Sequence, residues 1–305
     1  MKEASKPFKP DGLASIGTTE PVKGRSLWQD ARRRLFHNKA AIGSMIVLGI
    51  IVLMAIFAPL LSPWAFDDPD WGYDFPGPPS IELKHWFGTD GNGRDLFVRT
   101  LFGARISLLV GVIATSVSLL IGVAYGATAG FIGGRTDNIM MRLVDILYSL
   151  PFMFFVILLM VVFGRNIFLI FVALGAVEWL TMARIVRGQA LSVKKKEFIE
   201  AAHAVGVSNA TIITRHIIPN VLGPVIVYMT LTIPQVILTE SFLSFLGLGV
   251  QEPLTSWGVL ISEGAKQMES APWMLIFPAI FLAVTLFCFN FIGDGLRDAL
   301  DPKDR

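Results

Sequence analysis

Charged and uncharged positions are segregated along this chain. No side chain between Lys39 and Asp67 is charged, and 40–61 is an apolar run long enough to cross a hydrocarbon layer of about 30 Å as a helix. Further uncharged stretches occupy 106–134, 146–164, 217–239 and 270–293. Another, 166–183, is interrupted only by Glu178. Each suffices to span at roughly 1.5 Å per helical residue. Helices are expected because they satisfy their own backbone hydrogen bonds in lipid. The pattern predicts an all-α integral membrane protein with six transmembrane helices.

The remaining charge sets the orientation. Six crossings put both termini on one side, with the turns near Gly134 and across 184–216. That side collects 20 of the 26 lysines and arginines, leaving Lys84, Arg94, Arg99, Arg105, Arg165 and Lys266 opposite. Such a bias predicts cytoplasmic termini. The first 27 residues are polar, and no small-residue cleavage site follows the first apolar run, so no cleavable signal peptide is expected. The net charge of +2 gives no reason to expect a nucleic-acid partner; the basic residues serve topology.

Between the spans the pattern changes character. Residues 1–39 read as a tail followed by an amphipathic helix, with Leu27, Trp28, Ala31, Leu35 and Phe36 at helical spacing beside Arg32, Arg33 and Arg34. Such a helix would lie on membrane lipid, keeping its arginines with anionic headgroups. Residues 62–104 form a segment on the far side, irregular in its first half. The second span carries Gly122, Gly126 and Gly130 on one face, a register for close packing of another helix. Pro151, Pro234 and Pro278 are expected to bend their spans.

Candidate chemistry is sparse. The dipeptide Gly-Lys is absent, which excludes a Walker A phosphate loop. A single cysteine, Cys288, allows neither an intrachain disulfide nor a thiolate metal site. His37, His85, His203 and His216 lack ligand spacing. The run from Asp90 to Asp95 resembles the start of a calcium loop, but Arg94 stands where a ligand belongs and Asp95 where the turn glycine belongs. Within the spans, Glu178 and Glu240 are candidates for lining a pathway or for structural roles, and Asp145 is expected to pair with Arg142. No convergent set of nucleophile, acid or metal ligands supports a membrane-embedded enzyme. Two isolated glutamates do not make the relay an ion-coupled carrier acting alone would need.

The informative segment lies between the fourth and fifth spans. It reads Glu200-Ala201-Ala202-His203-Ala204-Val205-Gly206 and, nine residues later, His216-Ile217-Ile218-Pro219-Asn220. The expectation is a short helix with small exposed residues, a turn at Gly206, and a second helix capped by Ser208 or Asn209 and ended by Pro219. Small residues on an exposed elbow suit close docking of another protein.

This pattern resembles the EAA loop of ATP-binding-cassette importer permeases, although His216 and Ile218 occupy the closing positions of the motif. Several segments are similar to the peptide-transporting branch: Phe87-Gly88-Thr89-Asp90, Gly103-Ala104-Arg105-Ile106-Ser107, Ser241-Phe242-Leu243-Ser244-Phe245-Leu246-Gly247, and Gly293-Asp294-Gly295-Leu296-Arg297-Asp298. The start at 25–34 is similar to the C-type oligopeptide subunits, while dipeptide, nickel and glutathione permeases share most of these motifs. The resemblance implies a type I importer permease fold in a bacterial inner membrane. It divides the chain into a tail with interfacial helix (1–39), a first span (40–61), a periplasmic segment (62–104), a permease domain (105–294) with coupling loop (186–220), and a C-terminal tail (295–305). It also implies a homologous second permease, two cytoplasmic ATPases carrying ATP and magnesium, a periplasmic peptide-binding protein, and a peptide substrate. This chain would bind no cofactor and catalyse nothing. Glu200, Ala201, Ala202, Gly206 and Pro219 would couple it to an ATPase.

Overall fold

A computed structural model describes residues 27–164 and 166–300. The expected tail at 1–25 and the last residues lie outside them. Twelve α-helices occur among the described residues: α1 (Leu27–His37), α2 (Lys39–Ile56), α3 (Ala58–Leu61), α4 (Leu96–Ile132), α5 (Gly134–Ser149), α6 (Phe152–Phe163), α7 (Ile167–Lys194), α8 (Glu197–Ala204), α9 (Asn209–Ile212), α10 (Ile218–Phe245), α11 (Trp257–Lys266) and α12 (Trp273–Leu300). A π-helical turn, Ile213–Ile217, joins α9 to α10.

Five continuous helical segments are long and apolar enough to cross a membrane: Lys39–Ile56, Leu96–Ile132, Phe168–Lys194, Asn209–Phe245 and Trp273–Leu300. The candidate for a sixth is the pair α5 and α6, bent by 82° and long and apolar enough only when taken together. The uncharged stretch 146–164 is therefore not one straight span. Pro151 explains this, since the residue before proline is driven out of the helical region, and Leu150 is extended at φ −75°, ψ 132°. Pro234 and Pro278, in contrast, lie inside continuous helices.

Helix α4 is 37 residues long, about 55 Å at the usual rise and well beyond the hydrocarbon thickness. Its first turns leave the apolar zone and enter a cap built from 62–95, α11 and the start of α12. Helix α4 thus begins at Leu96, inside the expected 62–104 segment. The cap is irregular, with three isolated β-bridges, and lies against the spans through stacked rings such as Phe66 on Phe102 and Phe87 on Phe277, both 4.0 Å apart.

The glycine register in α4 has the expected use. Cβ atoms at Gly122, Gly126 and Gly130 would run into Met182, Ala183 and Arg187 of α7. At Gly130 the contact would be 2.7 Å from the Arg187 carbonyl oxygen. At the end of the molecule opposite the cap, α1 lies against the last turns of α12, where a Cβ at Gly295 would meet Ala41 and Leu35. Asn38 caps α2 by accepting from the N–H groups of Ala40 and Ala41 at 3.1 Å.

Candidate coupling elbow and membrane cleft

Helix α8 is tethered on one side and bare on the other. Ile199 and Ala202 are buried with Val186, Ala190, Val193, Phe131, Ile212 and Ile217 in one apolar cluster. Glu200, Ala201, Ala204, Val205 and Gly206 are exposed. The sequence expectation of an exposed Ala202 is corrected here: at 7 % exposure its methyl belongs to the chain's own core. Helical spacing is the reason, because Ala202 lies three residues after the anchor Ile199 and shares its face.

The helix ends in a Schellman turn. The Val207 N–H donates to the Ala202 carbonyl at 3.1 Å, and the Gly206 N–H to the His203 carbonyl at 3.0 Å. Gly206 sits at φ +78°, a left-handed conformation that suits glycine. A Cβ there would meet nothing within 4 Å, so the backbone angle, not crowding within this chain, requires the glycine. Val207 packs on the same cluster as Ala202, the apolar contact such turns carry. His203 stacks flat on Phe131 at 5.6 Å.

Ser208 caps α9 as expected, its hydroxyl accepting from the Thr211 N–H at 3.4 Å. Pro219, however, does not end this second helix. It stands in the first turn of α10, and α9, the π turn and α10 form one rod into the membrane. Proline lacks the N–H an α-helix would use. The wider π turn before it, closed by the Ile218 N–H on the Ile213 carbonyl, carries the chain past this gap.

The two candidate glutamates have different surroundings. Glu240 is fully buried, accepts from Ser244 at 2.7 Å and Ser107 at 3.4 Å, and faces no open space. Ser107 in turn accepts the Trp257 N–H at 3.2 Å. Glu240 therefore ties α10 to α4 and to the start of α11. Glu178 is only partly buried and lines a cleft of about 510 Å³ between the α5–α6 break and α7, with Leu147, Tyr148, Phe155 and Thr181. Tyr228 of α10 is within electrostatic reach of Glu178 and Tyr148. Sequence reasoning missed the two tyrosines, which are 80 positions apart in the chain and carry no motif.

Helix α5 is strapped to α7 beside this cleft. Arg187 makes a two-pronged contact with Asp137, 2.6 Å on each arm. Arg184 reaches Asp145 at 2.8 Å and lies 4.4 Å over the Tyr148 ring. The expected Arg142–Asp145 pair is thus replaced by a pair between helices.

In the cap, Asp90 accepts from the Arg94 side chain at 2.8 Å and from the N–H groups of Asn92 and Arg94 at 2.8 and 3.0 Å, and forms an ion pair with Arg99 at 3.1 Å. His85 is fully buried between Asp95 at 2.8 Å and Asp70 at 3.2 Å, and between the rings of Trp64 and Tyr73. Burial pushes the Asp95 carboxyl above its ordinary range despite hydrogen bonds from Val98 and His85. The Gly72 N–H, then His85, hold Asp70 below it.

The family described as "Binding-protein-dependent transport system inner membrane component" matches residues 118–305. The chain belongs to that family. The "N-terminal TM domain of oligopeptide transport permease C" matches 26–79. The "Oligopeptide transport system permease protein OppC" of Escherichia coli K12 is 64 % identical over 93 % of this chain and 94 % of its own length. That of Bacillus subtilis is 49 % identical over 98 % and 97 %. The "Dipeptide transport system permease protein DppC" of Bacillus subtilis is 49 % identical over 92 % and 87 %. Family members are inner membrane components, in accord with the apolar spans.

Proposed function

We infer that this chain is a permease subunit of an ATP-driven oligopeptide importer, forming half of the translocation pathway. The elbow carries the reading: a helix rigidly anchored through Ile199 and Ala202 offers Glu200, Ala201, Ala204 and Val205 outward with no partner among the described residues. Rigid anchoring on one face and a small bare surface on the other suit transmission of a push from a docked protein. That protein is an ATPase, one of two holding ATP and magnesium. Its closure swings the permease between inward- and outward-facing states. Gly206 sets the turn, and Pro219 marks where the elbow passes into α10. A homologous permease completes the pathway, and a periplasmic binding protein delivers peptide. The termini and elbow are cytoplasmic and the cap periplasmic, a placement the 20 to 6 charge bias supports.

The test reconstitutes the permease pair with its ATPases and binding protein. Ala201→Trp should leave insertion and melting intact while ATP-driven uptake and ATPase co-purification collapse. Normal uptake at normal abundance would reduce the elbow to a loop. Cysteines at Ser80 and Gln267, but not at Ser208, should react with an impermeant thiol reagent from the periplasm. The likeness to a dipeptide permease supports a second reading, dipeptide import. Stronger competition by dipeptides than by tri- to pentapeptides would favour it.

A further inference from the structure

We propose that Glu178 receives the α-ammonium group of the peptide as it passes through the membrane cleft; this rests on the importer reading. Glu178 lies well inside the apolar stretch of α7, yet makes no hydrogen bond or ion pair with any described residue. A carboxylate at that depth is costly unless a cation or water-filled space accompanies it. The nearest cation along its own helix, Arg184, is engaged by Asp145 at 2.8 Å and by the Tyr148 ring at 4.4 Å. Glu240, the other glutamate within the spans, has its oxygens occupied by serine hydroxyls. Glu178 is thus the acid left open to a visitor.

The surroundings fit an ammonium. The cleft, about 510 Å³, is within the usual range of roughly 300–1,000 Å³ for small-molecule sites. Its walls are largely apolar, which strengthens a charge-assisted contact, and the Trp179 ring beside Glu178 offers a face that attracts cations. The α-ammonium is carried by unblocked peptides whatever their sequence. A conduit for varied sequences can hold that group without reading side chains.

The complete complex in proteoliposomes tests this, with tri-alanine and N-acetyl-tri-alanine as probes. Glu178→Gln should lower ATP-driven uptake of tri-alanine about tenfold, the scale of one hydrogen bond to a charged group, and leave the acetylated peptide unchanged relative to wild type. Glu178→Asp should recover part of the loss. Carbodiimide should couple tri-alanine to Glu178 through its amine, seen by mass spectrometry, and should not couple the acetylated peptide. An equal fall for both peptides, no fall for either, or absence of the coupled product would overturn the proposal. An equal loss for an N-acetylated peptide carrying lysine would overturn the α-ammonium assignment. Failure of the wild-type complex to import either peptide with ATP would instead overturn the importer reading.

Discussion

The irregular cap and the helical elbow lie at opposite ends of the long helices and are built on opposite principles. The cap buries its charges and pairs them internally: Asp90 with Arg94 and Arg99, His85 between Asp70 and Asp95. The elbow buries only apolar groups, Ile199, Ala202 and Ile212, and leaves Glu200, Ala201, His203 and Ala204 bare. A region that spends its polar groups on itself is fixed in shape. One that holds on by methyl groups leaves a face unpaired, as the proposed docking of an ATPase needs.

The largest expected effect probes the cap. Asp90→Ala leaves Arg94 and Arg99 buried beside each other without their shared acid, and such a loss costs about 3–5 kcal/mol. The complex should then be scarce or melt far below wild type. Unchanged melting would show that the cap is held by its aromatic stacks instead. Paired bulky substitutions sharpen the contrast at the elbow. Ala202→Trp overpacks the chain's own core at about 1–3 kcal/mol and should lower the melting temperature of the isolated permease pair. Ala201→Trp, on the bare face, should leave it unchanged. Equal melting of the two would mean that the anchored and bare faces are wrongly assigned.

Gly206→Ala forces a side chain into a left-handed angle at about 1–2 kcal/mol without touching a neighbour. Melting should fall modestly and coupling more, read as ATP hydrolysed per peptide imported. A side chain tolerated with full coupling would remove the glycine from the mechanism. The smallest effect concerns acid. Asp70 has a folded value below its unfolded one, so its contribution is present above the ordinary carboxylate range and lost as pH falls through the folded value. Asp95 has the opposite sign, because burial raises it, and its protonation on acidification partly offsets the loss. Asp70→Asn should therefore flatten the decline in melting temperature as the pH falls below the ordinary carboxylate range. An unaltered acid-side slope would show that Asp70 contributes nothing there.

Much of the architecture was legible because lipid imposes a rule that depends on local composition. Uncharged runs of spanning length marked the crossings, the glycine register marked the α4–α7 contact, and Ser208 marked a cap. Pro151 was legible as a bend, and Pro219 as a disturbance but not in its outcome. One breaks a span by 82°; the other is absorbed by a π turn. Proline removes one N–H in either case, and whether the neighbouring turn can widen around the gap depends on what packs beside it.

The sequence alone determined what must be uncharged, where a turn needed glycine, and which side carries positive charge, since each follows from residues close together in the chain. Only the tertiary structure decided that Ala202 faces inward while Ala201 faces out, that Asp145 reaches Arg184 across helices, and that Glu240 is enclosed by serines while Glu178 opens on a cleft. Those outcomes depend on groups brought together from distant positions, such as Ser107 and Glu240 on α4 and α10. No local pattern encodes which of two similar carboxylates the packing will leave without a partner.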